Sequence, residues 1–516
     1  MGYRRQPSDY EPVTPAWRPP TDPAHAPDAS VDDHWFAPQQ TQDTDAADHV
    51  AAAGAFSASD THPPLAAQPI GEPASEPTSP VQTAQQRQTR GHLFTFAGLF
   101  LFTLVVYVRP YELFDALAGF TSMAFWVAAC TLAVFFPTQF MLAGNLTARP
   151  REINLVLLLG LTGLLSIPLA QDPARSWTSF VEFLKVVTMF IVMINAVRTE
   201  RRLKALILLA LAVSCVLAAG AINDFRTGNL VMAGKRIAGT IKGLFDNPND
   251  LALHLVTMIP LAVALLLGTR NPFKKLLYGA CALLLLGGMV ATFSRGGFLG
   301  LVAATLVLVW KIGRQHRLAI CALVLVLVPL FVLLVPSSYG GRLSTTSDDS
   351  ALTRRDDLKK SIIVSLRHPL FGIGMDNYVL YSNTEHATHN AYTQVSAEMG
   401  LAALVFYVMF VTAPFRRLRQ IERATSGAAR RSRFYYLAVG LQASLVGYMV
   451  SSFFASVAFV WYIYYLVSYA ACLHRIYEAS PDAARVASNS PEELHAPAEL
   501  PAQAYNGALR ESEALN

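Results

Sequence analysis

Two histidines stand where a long polar stretch meets an apolar segment of membrane length. His386 and His389 close the polar stretch 337–389, and Asn390 and Tyr392 open the apolar segment. The ordinary pKa of histidine, about 6.5, allows its imidazole to accept a proton from a hydroxyl group at neutral pH. We therefore predict His389 as a general base, with His386, Asn390 and Tyr392 as substrate contacts. The structural alternative for His389 is a helix cap or an interface residue.

Cations lie in three further segments between apolar runs: Lys235 with Arg236, the single Arg295, and the pair Arg354 and Arg355. A guanidinium group holds phosphate oxygens in a bidentate geometry and stays charged at physiological pH. The pattern predicts a site for an anion such as a diphosphate. We predict Arg236, Arg354 and Arg355 as active-site residues that hold such an anion. Lys235 and Arg295 are assigned to substrate binding, and contact with solvent or lipid phosphate is the simpler alternative for the lysine.

Small and ionisable residues are predicted to support this site. Gly296 and Gly297 follow Arg295 directly, and residues without a side chain let the backbone approach a ligand or another helix closely. Glu398 follows Asn390 by two helical turns and so lies on the same helix face. A buried carboxyl group must be paired or neutral. We expect Glu398 to hydrogen-bond another helix and thereby support the site.

The stretch 353–366 has the pattern of a short amphipathic helix. Thr353 can cap it, Asp356 and Asp357 occupy its first turn, and Pro369 ends it and supports the site. Its apolar face consists of Leu358, Ile362, Ile363 and Leu366. Lying on the outer membrane surface, this helix would hold the two neighbouring arginines over the bilayer.

No metal site and no cofactor are expected. Adjacent carboxylates such as Asp348 and Asp349 point in different directions on a helix, and no His or third acid stands at metal-ligand spacing. The pair Gly372 and Gly374 is too short for a nucleotide signature, and there is no P-loop motif. The five cysteines lie in apolar runs without CxxC spacing, which implies neither disulfides nor zinc.

The composition is typical of a membrane protein. Of 516 residues, 53% are hydrophobic and only 15% are charged. The mean hydropathy of +0.35 is too high for a soluble enzyme of this size. The net charge of +5 comes from Lys and Arg clustered in short turns between apolar runs, as in cytoplasmic loops. The lipid bilayer is therefore a partner, and nucleic acid is not.

We predict an all-α polytopic membrane protein with about 12 transmembrane helices. Runs near the roughly 20 residues that cross a hydrocarbon core fall at 92–108, 119–142, 153–170, 178–197, 203–221, 250–268, 275–292, 296–312, 318–335, 390–413, 434–453 and 457–474. If the first span begins on the cytoplasmic side, every loop on that side contains Lys or Arg, as the positive-inside rule requires. The last two runs have a bent hairpin as their alternative. The outer loop 337–389 holds the amphipathic helix.

The two ends of the chain differ from this membrane domain, which we place at 91–476. Residues 1–90 and 477–516 are rich in polar and small residues and cannot bury enough apolar surface to fold. The N-terminal stretch has no apolar signal region. Both ends are expected to be disordered cytoplasmic tails.

Several motifs follow one another in order between residues 90 and 475. They are Arg236-Ile237-Ala238-Gly239-Thr240 with Asn247-Pro248-Asn249, Thr292-Phe293-Ser294-Arg295-Gly296-Gly297, Arg354-Arg355 with His368-Pro369-Leu370-Phe371-Gly372-Ile373-Gly374, and His389-Asn390-Ala391-Tyr392 with Ala397-Glu398-Met399-Gly400. In type and order they resemble the O-antigen ligase/polymerase family, polytopic bacterial enzymes of the glycosyltransferase C superfamily that act on lipid-linked glycans.

The resemblance implies a multi-pass protein of the bacterial inner membrane with a periplasmic active site and cytoplasmic termini. It implies transfer of an undecaprenyl-diphosphate-linked oligosaccharide to an acceptor hydroxyl, without metal and with inversion at the anomeric carbon. By position, Arg236 and one arginine of the pair Arg354 and Arg355 would hold the diphosphate, and His389 would activate or orient the acceptor. Which arginine of the pair does so stays open.

The resemblance leaves three functions open. The protein could be a polymerase of a surface polysaccharide or exopolysaccharide, or an O-antigen ligase to a lipid A core or protein acceptor in lipopolysaccharide assembly. A transporter or flippase of an anionic lipid-linked glycan would carry ionisable residues deep in its spans, and here Glu182, Lys185 and His254 are the main examples. The expected partners are the lipid-linked donor, a glycan acceptor, the bilayer and other polysaccharide assembly proteins.

Overall fold

A computed structural model describes the membrane domain of the chain. It covers residues 91–113, 122–229, 247–312, 349–382, 387–426 and 432–481, and the single residues 117, 119, 120, 237, 245 and 483. Throughout this described part the secondary structure is helical, and no strand occurs. The expected N-terminal tail 1–90 and the predicted span 318–335 lie outside the described residues. Of the expected C-terminal tail 477–516, residues 477–481 and 483 are described, and the last helix extends into it as far as Glu478.

Thirteen helices are labelled here in chain order. They are α1 (Leu93–Val108), α2 (Met123–Ala143), α3 (Arg151–Ser166), α4 (Pro173–Ala196), α5 (Glu200–Thr227), α6 (Pro248–Gly268), α7 (Pro272–Ala291), α8 (Arg295–Ile312), α9 (Asp349–Arg367), α10 (Ala391–Met399), α11 (Leu401–Ser426), α12 (Arg433–Ser451) and α13 (Trp461–Glu478). Short helical turns occur at Pro110–Leu113, Ile167–Leu169, Tyr378–Tyr381 and Ser452–Phe454.

Side-chain caps define where many of these helices begin. Asp172 accepts a hydrogen bond from the amide of Arg175 at the start of α4, and Thr199 does the same for Arg202 at the start of α5. Asn271 accepts from two amides at the start of α7. Helices α4, α6 and α7 also have proline in their first turn. Proline lacks a backbone N–H, and in the first turn that N–H would have no hydrogen-bond partner within the helix.

Within the described residues, nine helices are long and apolar enough to cross a membrane: Met123–Ala143, Arg151–Leu169, Pro173–Ala196, Glu200–Thr227, Pro248–Gly268, Pro272–Ala291, Arg295–Ile312, Leu401–Ser426 and Arg433–Phe454. Helix α1 is apolar but has 16 residues. Helix α13 is almost entirely buried, and five of its residues are tyrosines. The chain is thus a multi-pass membrane protein, while the predicted number of twelve spans is not confirmed.

One predicted span, 390–413, is wrong in its bounds. The chain forms the short helix α10, breaks at Gly400, and begins the spanning helix α11 only at Leu401. Gly400 has a φ of 91°, and a Cβ atom there would overlap the carbonyl group of Leu370. A left-handed residue ends a helix, so the break is enforced by the close approach of another segment.

Ion pairs join the helices at one end of the bundle, which we call the basic end. Arg417 pairs with Glu152 at 3.0 Å, Arg433 with Glu200 at 2.8 Å, and Lys311 with Glu422 at 2.6 Å. These contacts unite the starts of α3, α5 and α12 with the ends of α8 and α11. Helices that run away from the basic end reach the opposite end, which we call the site end because it carries Arg295, Arg354 and His389.

Helices α6, α12 and α8 form the tightly packed centre of the bundle. Gly440 of α12 faces Ala264 and Pro260 of α6 so closely that a Cβ atom would lie 2.6 Å from the Ala264 methyl group. Gly300 of α8 lies against Gly447 of α12 in the same way. Small residues at these crossings let apolar helices gain dispersion contacts in a lipid environment. The centre therefore offers a rigid base for the site end.

Candidate functional site

His389 lies directly before helix α10, in a left-handed backbone conformation. Its φ is 51°, and its side chain is partly exposed. A non-glycine residue in this region costs of the order of 1–3 kcal/mol and persists only where surrounding contacts hold it. Asn390 supplies one such contact, because its side-chain oxygen accepts hydrogen bonds from the amides of Tyr392 and Thr393. Asn390 is therefore the cap of α10.

The segment that holds His389 is fastened to the α12–α13 corner, residues 449–460. The hydroxyl groups of Thr388 and Ser456 lie 3.0 Å apart. The hydroxyl of Tyr392 donates to the carbonyl of Met449 at 2.9 Å, and the amide of Ala458 donates to the Gln394 side chain at 3.3 Å. One contact before the helix and two on the helix fix the start of α10. The α12–α13 corner thus holds the backbone on both sides of His389.

Arg295 reaches the same corner from another direction. It is the first residue of α8 and is exposed, and it follows Phe293, which has a φ of 51°. The neighbouring Gly296 packs on Phe454 so closely that a Cβ atom would lie 2.7 Å from the Phe454 Cβ. Ser451 also donates to the carbonyl of Gly296 at 3.3 Å. The turn before α8 and the segment that holds His389 therefore both contact the α12–α13 corner.

Gly297 and Pro369 are the other predicted supports. Gly297 lies against Ala252 of α6, where a Cβ atom would be 2.7 Å from the alanine methyl group. Pro369 follows the end of α9, and its carbonyl accepts a hydrogen bond from the amide of Leu401 at 2.8 Å. The glycine packs α8 on α6, and the proline ties α9 to the start of α11.

Helix α9 runs parallel to α10 and carries both arginines of the predicted pair. Ser365 of α9 lies 2.8 Å from Ser396 of α10, and one turn later Pro369 is bonded to Leu401. From the first contact to the second, the residue numbers increase on both segments. The two helices therefore run in the same direction, with their N-terminal ends together. Arg354 near the start of α9 and His389 before α10 therefore belong to one end of this helix pair.

Arg354 and Arg355 differ sharply in environment. Arg355 is exposed, whereas Arg354 is partly buried. The pKa of Arg354 is lowered because burial removes the guanidinium from water and because the positive charge of Arg295 lies close by. Among the described residues, no hydrogen-bond or ion-pair partner of Arg354 is found. A half-buried cation that faces a second cation is a favourable position for an anion.

The amphipathic helix begins earlier than predicted and buries a different face. It starts at Asp349, so Thr353 lies inside the helix and is not its cap. Its buried face is polar and contains Asp357, Ser361 and Ser365. The tyrosine hydroxyl of Tyr378 donates to the carbonyl of Asp357 at 2.9 Å. The apolar residues Ile362, Ile363 and Leu366 are exposed, as expected for a helix that lies on a membrane surface.

The loop 368–378 docks onto α10 by its backbone. The amide of Ile373 donates to Ala397 and the amide of Gly374 donates to Glu398, at 3.0 and 2.9 Å. Gly372 has a φ of 67°, and a Cβ atom there would overlap the backbone of Glu398. The motif His368–Gly374 therefore serves to seat α9 and α10 against each other.

The other side of this loop is fastened to the turn between α3 and α4. Arg175 donates to the carboxylate of Asp376 at 2.8 Å. Asn377, which is fully buried, accepts from the amide of Asp172 at 2.8 Å and donates to its carbonyl at 3.2 Å. The loop thus joins three parts of the bundle at the site end.

Glu398, for which a hydrogen bond to another helix was expected, bonds this loop and the first residue of the short helix Tyr378–Tyr381. Its carboxyl group accepts hydrogen bonds from the backbone amides of Asp376 and Tyr378 and is 3% exposed. Burial raises the pKa of Glu398 to about 8, and the nearby carboxylate of Asp376 adds to the rise. The two amides and the charge of Arg175 oppose it. Glu398 is therefore protonated at neutral pH and supports the loop.

The raised pKa of Glu398 predicts that the stability of the protein falls as the pH rises from about 4.5 to about 8. Its pKa is raised from 4.5 to about 8, so its contribution to stability is complete below pH 4.5 and is lost as the pH rises through about 8. The slope reaches up to about 1.4 kcal/mol per pH unit inside this window. Thermal unfolding of the purified protein in detergent between pH 5 and pH 9 measures it.

In this measurement, Glu398→Gln should flatten the pH dependence because glutamine cannot ionise. The matched control is Asp356→Asn on α9, where the side chain is 64% exposed. It should keep the wild-type profile. An unchanged slope in Glu398→Gln would exclude Glu398 as the titrating group.

Residues 280–408 match a family model whose description is O-antigen ligase. Over this segment the chain is similar to the O-antigen ligase/polymerase family. The matched O-antigen ligase segment contains Arg295, Arg354, His389 and Glu398, whereas Arg236 precedes it. No curated protein matches the chain at a significant level. The family and the nine apolar helices together support a membrane glycosyltransferase of the ligase or polymerase type.

The structure describes only some of the predicted site residues. Arg236, Lys235 and His386 lie outside the described residues. Arg295, Arg354, His389, Asn390 and Tyr392 all lie at the site end. In the described part of the chain, no group of three or more His, Cys, Asp and Glu side chains is placed to hold a metal ion.

Several residues that build the site were missed by sequence reasoning. The α12–α13 corner contributes Ser456 and Phe454, which carry neither charge nor imidazole and so gave no signal. Asp172 and Asn377 are ordinary turn residues in the sequence. The dipeptide Asp172-Pro173 is a helix-start signal, but a cap signal does not indicate which distant loop will bind to it.

Proposed function

We propose that this protein transfers an undecaprenyl-diphosphate-linked oligosaccharide to a sugar hydroxyl at the periplasmic face of the bacterial inner membrane. It would act as a polymerase of a surface polysaccharide or exopolysaccharide. The proposal depends on one observation: Arg354 lies close to Arg295. Both arginines lie at the site end, where His389 precedes α10. Two neighbouring guanidinium groups suit a diphosphate.

The proposed reaction needs a base and a stabiliser of the leaving group. The acceptor hydroxyl oxygen attacks the anomeric carbon, and the bond from that carbon to the diphosphate oxygen breaks with its electron pair on the diphosphate. His389 takes the hydroxyl proton. Arg354, Arg295 and Arg236 would bind the diphosphate oxygens and stabilise the charge that develops there. Attack from the face opposite the leaving group inverts the anomeric configuration.

The charge distribution supports the orientation of this site. Arg198, Arg270, Arg417 and Arg433 all flank the basic end, which the positive-inside rule places in the cytoplasm. The site end would then face the periplasm. The exposed apolar face of α9 would rest on the outer leaflet and hold Arg354 at the depth of a lipid-linked diphosphate.

The proposal is tested with purified protein in detergent and a lipid-linked oligosaccharide donor. The wild type should release undecaprenyl diphosphate, and His389→Ala and Arg236→Ala should each lower the rate by about 100-fold or more. Lys359→Ala, on the exposed side of α9 where the side chain is 59% exposed, is the control and should retain activity. Full activity in both site variants would refute the site, and a transporter would release no undecaprenyl diphosphate.

An O-antigen ligase is the second candidate, favoured by the description of the matching family. A ligase would move a finished chain to a lipid A core or a protein. Deletion of the gene separates the two functions. Single repeat units without polymer indicate a polymerase, whereas full-length polymer on the lipid carrier indicates a ligase.

The transporter alternative receives less support from the described spans. Lys185 donates to Glu182 within α4, and His254 lies 2.9 Å from the hydroxyl of Ser214 on the neighbouring helix. These pairings account for the three ionisable residues as contacts within and between helices. They leave the site end as the place for an anionic ligand.

A further inference from the structure

A polar cavity of about 300 Å³ opens at the basic end, away from the proposed glycosyl-transfer site. Three helices line it: α3 with Arg151 and Glu152, α11 with Arg416 and Arg417, and α13 with His474. A volume of about 300 Å³ is at the lower end of the range for small-molecule sites. The cavity is large enough for a headgroup and independent of the proposed function.

The charges around this cavity favour an anion. Three guanidinium groups face one carboxylate, and Arg417 already pairs with that carboxylate, Glu152, at 3.0 Å. Arg151 and Arg416 are exposed, and neither makes a hydrogen bond or ion pair to a described residue. Two guanidinium groups with free donors are therefore available to phosphate oxygens.

The cavity also holds one carboxylate oxygen without a donor. Glu152 is 1% exposed, and its Oε2 lies 3.0 Å from the guanidinium of Arg417. Among the described residues, its Oε1 has no hydrogen-bond partner. A buried acceptor left without a donor is costly. A ligand that carries a hydroxyl or ammonium group next to its phosphate would satisfy it.

The depth of the cavity matches the headgroup layer of a membrane. On α3, Leu158 and Leu161 are 39% and 50% exposed. Leu158 lies about 10 Å from Arg151 along the helix axis, given the helical rise per residue. On α11, Val408 is 38% exposed and lies about 12 Å from Arg416. Lipid-facing surface thus starts directly beyond the arginines. Basic pockets between transmembrane helices bind lipid headgroups in this position.

We propose that the cavity between α3, α11 and α13 binds the phosphate group of a phospholipid headgroup, with Arg151 and Arg416 on the phosphate and Glu152 on the neighbouring donor. Phosphatidylglycerol fits both parts, because its phosphodiester is anionic and its glycerol hydroxyls donate hydrogen bonds. Free phosphate shares the first part of this chemistry and lacks the acyl chains.

Native mass spectrometry of the purified full chain in detergent tests the proposal. Dioctanoyl phosphatidylglycerol is titrated in one arm and inorganic phosphate in the other. The variant Arg151→Gln/Arg416→Gln should bind phosphatidylglycerol at least about 10-fold more weakly than the wild type. The single variant Arg416→Gln gives a second reading with a smaller change. Arg419→Gln is the control, because Arg419 is exposed on the same helix and does not line the cavity.

Each outcome of this titration decides the question. Loss of phosphatidylglycerol binding in the double and single variants, with the control unchanged, supports a lipid headgroup site. Binding of phosphate alone, with the same dependence on the two arginines, supports the cavity with a soluble phosphate as its ligand. Equal binding in the wild type and the double variant, or an equal loss in Arg419→Gln, overturns the proposal.

Discussion

Replacing Arg354 with glutamine is expected to slow glycosyl transfer by about 100-fold, the usual cost of removing one charge-stabilising donor. Arg354 is the partly buried member of the pair and lies close enough to Arg295 for their charges to repel. A diphosphate bound between the two arginines would relieve this repulsion. Arg354 would therefore stabilise the leaving group most strongly when negative charge develops on it. The rate is measured as release of undecaprenyl diphosphate from a lipid-linked donor by purified protein.

Arg355→Gln is the matched control for this experiment. It removes the same charge from the next residue of α9, but the Arg355 side chain is exposed. We expect its rate to stay within about twofold of the wild type, since an exposed charge contributes little. Equal losses in both variants would indicate a general effect of positive charge on donor binding and would contradict the assignment of Arg354.

The second large effect is expected from Gly372→Ala, which should lower the stability of the membrane domain by about 2 kcal/mol or more. Gly372 has a φ of 67°, where an L-residue costs about 1–2 kcal/mol. In addition, the new methyl group would overlap the backbone of Glu398. The loop and α10 would then have to separate. This would break the hydrogen bonds that the backbone amides of Ile373 and Gly374 donate to α10. Thermal unfolding in detergent measures the change.

Gly160→Ala on α3 is the control for the glycine experiment. A Cβ atom at Gly160 would meet nothing within 4 Å, and alanine is a better helix former than glycine by about 1 kcal/mol. Its unfolding temperature should equal or exceed that of the wild type. A Gly372→Ala protein as stable as the wild type would show that the loop is not docked on α10.

The described helices were largely predictable because membrane spans depend on local properties. The predicted span 203–221 corresponds to the observed helix Glu200–Thr227, and the predicted span 250–268 corresponds to the helix Pro248–Gly268. Length and hydropathy locate a span because the hydrocarbon core has a fixed thickness. The caps Asn247 and Asn271 are equally local, since each bonds an amide two residues ahead. No long-range contact is needed for either feature.

Other features depended on contacts between distant residues and were missed. The boundary at Gly400 follows from the approach of Leu370, thirty positions earlier in the chain. The amides that Glu398 binds belong to Asp376 and Tyr378, and its position on a helix face did not identify them. The α12–α13 corner supports His389 and the turn at Arg295 through small polar side chains that carry no distinctive pattern.

The sequence by itself determined the class of protein and the chemical groups available to it. Apolar runs of membrane length require a helical bundle, and His389 and the arginines are the groups that suit a proton acceptor and an anion site. Only the tertiary structure decided that Arg354, and not its neighbour Arg355, lies close to Arg295. The physical reason is that adjacent residues on a helix point about 100° apart, and packing of α9 on α10 buries only one of those directions.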